Sequence, residues 1–338
     1  MKTTSAQKAG NKQAGLPKSA AAHAKKGAVI PAGQSAEKKK TVKPFLKWAG
    51  GKGQLLGEIR RYYPFSNGQI TKYAEPFVGG GAVLFDILSR FSLQQIYISD
   101  RNPELINTYL MIRDNPSRLI ELLSVLQREF LPLDTKGRKH YYTEKRMVFN
   151  ELKTKGMDQE NIKKAALMIF LNRTCFNGLF RVNQKGLFNV PMGSYQNPLI
   201  CDEANLRAVS EKLQGVSIVC GDYRESADFI DAHTFVYLDP PYRPLSTTAN
   251  FTTYTQTPFF DSDQQELRDF VNEMHRKGAK IAVSNSDPKN SDPKDDFFDN
   301  LYSTYYITRV QASRMINSNS KARGKIQELL ISNFEPMP

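Results

Sequence analysis

The tetrapeptide Asp239-Pro240-Pro241-Tyr242 joins residue types that together can act on a planar amino group. The lone pair of an aromatic amine, such as the exocyclic nitrogen of adenine, is delocalised into its ring and is a poor nucleophile. A carboxylate and a main-chain carbonyl are pure acceptors. Aimed at the two amino hydrogens, they favour a more tetrahedral and nucleophilic nitrogen. Two prolines fix the backbone, and a residue before proline is held extended, so acceptors at Asp239 and Pro240 are preorganised. Tyr242 offers a face on which an extruded base can stack. Alone, the tetrapeptide fits equally a Pro-Pro turn that closes a strand.

Two more constellations lie upstream. Glu75-Pro76-Phe77-Val78-Gly79-Gly80-Gly81 joins an apolar run to an amphipathic one, and its glycines let backbone approach a ligand at a helix N-terminus. Asp100 follows about 20 residues later, where a Rossmann-like unit sets a carboxylate against ribose hydroxyls. A ligand-free tight turn and an N-cap for a helix starting near Pro103 are the structural alternatives.

These residues need a frame. Strands are predicted at Lys72 to Phe77, Gln95 to Ser99, Val216 to Cys220, Thr234 to Leu238 and Lys280 to Ser284, with helical patterns such as Ala82 to Arg90 between them. That alternation implies an α/β fold with a largely parallel sheet. Leu301 to Arg309 and Lys325 to Asn333 read as a long antiparallel hairpin at one edge. From about Asn102 to Asn205 the alternation is interrupted by charged helices and by an aromatic, Asn- and Gly-rich loop, Asn172 to Tyr195.

A chain of 338 residues buries a sizeable core without staples. Cys175, Cys201 and Cys220 are odd in number and lack C-x-x-C spacing, which fits a reducing compartment and no disulfide framework. No uncharged apolar run approaches the roughly 20 residues of a membrane span, and no apolar core follows the basic N-terminus as in a signal peptide. A soluble, cytoplasmic protein is the expectation. Of the net charge of +13, the first 43 residues hold +9, with ten lysines against Glu37, and the remainder holds +4. Residues 1–41 read as a disordered basic tail, either a solvated linker or cloning remnant or a DNA-tethering arm.

Together with Pro44-Phe45-Leu46-Lys47-Trp48-Ala49-Gly50-Gly51-Lys52, the three motifs make the chain resemble the Dam-type (D12 class) N6-adenine-specific DNA methyltransferases. The resemblance runs from about Val42 to Phe334. It includes Asn172-Arg173-Thr174-Cys175-Phe176-Asn177-Gly178-Leu179-Phe180-Arg181, Phe188-Asn189-Val190-Pro191-Met192-Gly193, Tyr242-Arg243-Pro244-Leu245-Ser246 and Thr248-Ala249-Asn250-Phe251. It implies a Rossmann-like methyltransferase sheet at 42–105 and 205–338, and an inserted, mainly helical DNA-recognition domain at 106–204. It implies S-adenosylmethionine as cofactor, held by Trp48, Lys52, Phe77, Gly79, Asp100 and Asp239, with Asp239, Pro240 and Tyr242 catalytic. It implies double-stranded DNA as substrate, methylated at the adenine of G-A-T-C after base flipping. Phe176 would wedge beside the flipped base, Arg181 would bond a guanine, and Leu179 and Pro191 would meet the thymine methyl. Lys47, Asn177 and Tyr195 match further base contacts, and Arg146, Asn183 and Asn189 match phosphate contacts. Ser194 stands where related enzymes can carry arginine, and Phe176 where some carry tyrosine. No metal, membrane or obligate protein partner is implied.

Competing substrates are RNA adenine and a protein glutamine amide, against which the base-reading loop argues. A DNA-binding protein with a dead site is opposed by intact Asp239, Tyr242, Asp100 and Lys52. A zinc deaminase is opposed by four scattered histidines and the lack of P-C-x-x-C.

Overall fold

A computed structural model describes residues 42–155, 160–243, 259–313 and 325–337. Five strands alternate with helices: β1 (Lys72–Glu75), β2 (Gln95–Asp100), β3 (Ser217–Cys220), β4 (Thr234–Leu238) and β5 (Lys280–Ser286). The strands β6 (Tyr306–Ser313) and β7 (Lys325–Ser332) follow. Among the described residues they form one sheet in the order β3-β2-β1-β4-β5-β7-β6. β1 to β5 pair in parallel, whereas β7 enters antiparallel between β5 and β6. The expected hairpin is therefore at the edge, with its second strand on the inside.

Pairing stops where chemistry predicts. Pro76 cannot donate to a ladder, and β1 ends at Glu75, short of the expected Phe77. The first hairpin strand runs from Tyr306 to Ser313 instead of Leu301 to Arg309, because Leu301 ends the helix Phe297–Leu301 and Tyr302 to Tyr305 turn, with Tyr305 N–H donating to Tyr302 O at 2.9 Å. Phe298 and Tyr302, four residues apart, are each 1% exposed, so this apolar run follows a helical face.

Strand side chains alternate between two cores. Tyr73, Phe235 and Tyr237 join a cluster with α1 (Leu56–Ile59), α2 (Ala82–Arg90) and α3 (Pro103–Asp114), while Ala74, Val236 and Leu238 face α8 (Asp261–Arg276) and α9 (Phe297–Leu301). β4 is accordingly buried on both sides. Between α3 and β3 lie α4 (Pro116–Phe130), α5 (Thr135–Lys155), α6 (Asn161–Thr174) and α7 (Glu203–Leu213). Residues Ala165 to Asn172 of α6 are buried without interruption, as befits a helix surrounded by α3, α4 and α5. Its C-terminus launches the Asn- and Gly-rich loop. Among the described residues no helix is long and apolar enough to cross a membrane. The basic tail, Pro244-Leu245-Ser246 and Thr248-Ala249-Asn250-Phe251 lie outside the described residues.

Candidate active site

The strand order reverses between β1 and β4, and ligands of open α/β sheets bind beyond the carboxyl ends of strands at such a point. The glycine turn leaves β1 there. Gly79 N–H donates to Asp100 Oδ2 (3.1 Å), and Asn102 N–H donates to Oδ1 (2.9 Å), so the ends of β1 and β2 are stitched through one carboxylate. Burial raises the pKa of Asp100. Asp100 is not the cap of α3. Asn102 takes that place, accepting from Leu105 N–H at 3.0 Å.

The indole of Trp48 lies on the glycine turn. A Cβ on Gly79 would come within 2.9 Å of its Cδ1, and one on Gly80 within 2.9 Å of its Cβ. Phe77 stacks on Tyr223, with centroids 5.3 Å apart. A stacked aromatic pair and the Asp100 carboxylate therefore share the carboxyl edge of β1, β2 and β3.

Across the reversal, Asp239 closes β4. Lys52, 3% exposed and fixed by Gly50 O at 3.0 Å, places Nζ 2.7 Å from Asp239 Oδ1. Ser284 of β5 donates to the same oxygen at 2.9 Å and accepts from Tyr237 of β4 at 3.0 Å. No described residue hydrogen-bonds Oδ2. Lys52 also donates to Tyr242 Oη (3.0 Å) and lies 5.0 Å from the centre of that ring. Burial alone would depress the Lys52 pKa, but Asp239, Tyr242, Tyr237 and Glu328 around it raise it well above the usual range. Burial likewise raises the Tyr242 and Glu328 values, against the opposing pull of Lys52. Glu328 Oε2 is buried without a hydrogen bond, 3.7 Å from Lys52 Nζ. Pro240 is buried, and Arg243 clamps the chain after Tyr242 through Asp261 (2.5 Å) and Asp295 (2.6 Å).

A second group gathers on the loop after α6. Short bridges pair Cys175 with Met192 and Val182 with Phe188, and Phe176 N–H donates to Pro191 O at 2.9 Å. Phe176 is 53% exposed although large and apolar. Asn177 follows in the left-handed region, φ 55°. Lys47 Nζ sits 4.1 Å over the Tyr195 ring, which joins the segment before Trp48 to this loop. Arg181 Nε donates to Asn189 Oδ1 at 2.9 Å. Asn183 Oδ1 is occupied in its own turn by Lys185 and Leu187 N–H. Leu179 is partly buried against the core and Pro191 is exposed. Arg146 of α5 reaches the opposite side of the loop, at Val190 O (3.4 Å).

The sequence-predicted residues thus form two groups. Trp48, Lys52, Phe77, Gly79, Asp100, Asp239, Pro240 and Tyr242 line the carboxyl edge of the sheet. Lys47, Phe176, Asn177, Leu179, Arg181, Asn189, Pro191 and Tyr195 line the loop, with Arg146 and Asn183 at its margin. Sequence reasoning missed Tyr237, Ser284, Glu328 and Tyr223. For Glu328 the signal was an acid within an apolar strand; for Tyr223 it was Gly221-Asp222-Tyr223 directly after a strand.

A family description, D12 class N6 adenine-specific DNA methyltransferase, matches residues 48–316. A Type II methyltransferase, M.MjaIII, of Methanocaldococcus jannaschii is 48% identical over 296 residues, which is 87% of this chain and 99% of that protein. The Type II methyltransferase M1.LlaDCHI of Lactococcus lactis subsp. cremoris is 38% identical over 295 residues, 87% of this chain and 96% of that one. A DNA adenine methylase of Escherichia coli K12 is 35% identical over 287 residues, 85% and 93% of the two chains.

Proposed function

This chain belongs to the D12 class N6 adenine-specific DNA methyltransferases, and we propose that it methylates adenine N6 in double-stranded G-A-T-C, using S-adenosylmethionine, base flipping and direct transfer. The observation that carries this reading is the asymmetry of Asp239. Its Oδ1 is held by Lys52 and Ser284, which leaves Oδ2 directed by two fixed bonds and open to a donor.

The residues suit the cofactor chemically. Asp100 offers lone pairs to ribose hydroxyls, the Phe77 ring, backed by Tyr223, offers a face to an adenine, and Lys52, its three hydrogens committed to Gly50, Asp239 and Tyr242, offers positive charge to a carboxylate. Glu328 Oε2, buried without a hydrogen-bond donor, suits an ammonium. The cofactor supplies an electrophilic methyl on a sulfonium sulfur.

In this reading Asp239 Oδ2 accepts one N6 hydrogen and the Pro240 carbonyl accepts the other, while Tyr242 stacks on the base. Catalysis then rests on positioning and on preformed acceptors, with no covalent enzyme intermediate. The helical interval 106–204 presents the reading loop. Phe176 fills the space left by the extruded adenine, and Lys47, Asn177, Leu179, Arg181, Pro191 and Tyr195 meet base edges. Arg146, Asn183 and Asn189 stand near phosphates, and Asn189 also holds the Arg181 fork.

Asp239→Ala should abolish methyl transfer while leaving duplex affinity within a few-fold of wild type. Near-normal turnover in the variant would refute the catalytic assignment. Methylation-sensitive sequencing of DNA from an expressing host tests G-A-T-C directly.

A further inference from the structure

Lys47 and Trp48 are neighbours in the chain but serve different groups. Trp48 covers Gly79 and Gly80 at the sheet edge, whereas Lys47 lies on Tyr195 and against Gly178 of the reading loop. A Cβ on Gly178 would fall 2.5 Å from Cβ and Cδ of Lys47, so the Lys47 side chain packs onto the Gly178 backbone where only glycine leaves room.

One buried side chain ties them. Asn172, 2% exposed near the end of α6, accepts from Lys47 N–H at 2.9 Å. Its Nδ2 donates to Lys47 O at 2.8 Å and to Gly178 O at 2.8 Å. Both amide hydrogens are therefore committed, one to each segment. Trp48 supplies a second tie by stacking on Phe180, at 5.7 Å and 22°.

We propose that the Lys47–Trp48 segment, positioned by Asn172 and Phe180, couples occupancy of the cofactor site to recognition of the DNA target. The proposal rests on the function proposed above. Ordering this shared segment for one ligand lowers the cost of ordering it for the other, so the coupling is positive, and thermodynamic linkage makes it reciprocal. Asn172 and Phe180 are positioning residues: neither needs to touch a ligand.

Trp48 is the sole tryptophan, so its fluorescence reports the segment directly. The test measures the Kd of S-adenosylhomocysteine, an unreactive probe, with the enzyme alone and with saturating duplex. The duplex carries whichever sequence the wild-type protein methylates. An error in the G-A-T-C assignment, or an absence of methylation, is thereby read separately from an absence of coupling. In wild type the duplex should tighten the probe by about 5- to 150-fold, the usual range for coupled sites. Asn172→Asp keeps the acceptor but sets an oxygen against two carbonyls. It should bring that ratio to within about 2-fold of one while leaving the duplex-free Kd within about 3-fold. Phe180→Leu, which loses the stack but keeps apolar bulk, should reduce the ratio several-fold, and it decides the matter if Asn172→Asp does not fold. A wild-type ratio of one, an unchanged ratio in the folded variants, or equal weakening with and without duplex overturns the proposal.

Discussion

Asp239 illustrates how a single carboxylate can hold two unlike assignments. Lys52 and Ser284 converge on Oδ1, and their geometry sets where Oδ2 points. A hydrogen bond to a charged group contributes about 1.5 to 3 kcal/mol, and Lys52 remains on the same oxygen when Ser284 is lost. Ser284→Ala should therefore slow single-turnover methyl transfer by roughly 10-fold, about 1.4 kcal/mol, with duplex affinity unchanged. Equal single-turnover rates would show that Lys52 alone orients the carboxylate. Arg181 is held similarly, since Asn189 takes Nε, and the guanine contact proposed for it would use the two terminal nitrogens on O6 and N7. Arg181→Ala should lower the preference for the target over sites changed at that guanine by roughly 5- to 150-fold, with a smaller loss of maximal turnover. Uniformly weaker binding with an unchanged preference would point to a phosphate contact instead. The placement of Asp239 and Lys52 at the sheet edge and of Arg181 on the loop was legible because each sits in a contiguous motif. Tyr237, Ser284 and Glu328 were not, because they meet from β4, β5 and β7 and carry no local spacing that marks them.

At the scale of elements, what positions the site is the pairing of strands with the turns that leave them. The parallel order was legible as far as alternation of apolar runs and helical patterns goes. The placement of β7 inside β6 was not, since either strand of a hairpin can take the inner position. The start of β6 was misjudged because Leu301, Tyr302 and Tyr305 suit a strand, whereas Phe298 and Tyr302, four residues apart and both buried, follow a helical face that ends in a turn. The glycine turn was legible, but its reason is more specific than ligand approach. Gly81 has φ 72° at the N-cap of α2, and a Cβ there would fall 2.5 Å from Tyr109 Oη and 2.9 Å from Phe85 Cε2. Tyr109 cannot step aside freely, because it is fully buried and donates to Gly79 O at 3.0 Å. A left-handed non-glycine residue costs about 1 to 2 kcal/mol, and overpacking adds about 1 to 3. Gly81→Ala should thus lower stability by at least about 2 kcal/mol, seen as a lower urea midpoint with an unchanged slope. A midpoint equal to wild type would show that this turn relaxes without help from glycine.

For the whole molecule, most of the net charge lies in the N-terminal segment, ahead of the candidate site residues. Residues 1–41 hold nine lysines and Glu37, so removing them takes the net charge from +13 to +5. The candidate site residues begin at Lys47, beyond this segment, and are tied among themselves by contacts such as Asn172 to Lys47 and Lys52 to Asp239. A DNA-tethering arm, as against a solvated linker, would act on phosphates without regard to sequence, and each lysine that neutralises a phosphate would steepen the slope of log affinity against log salt by about 0.9. Deleting residues 1–41 should therefore weaken binding to non-target duplex and flatten its salt slope, by about 2.7 if three lysines engage. The methylated sequence and the single-turnover rate at saturating duplex should stay as in the full chain. The measurement is a salt titration of both proteins on one non-target duplex, followed by the same duplex with a single target site. Equal slopes for the two proteins would mean that the arm does not touch DNA. A flatter slope accompanied by an altered target sequence would place part of the reading function in the arm, against its assignment to the loop.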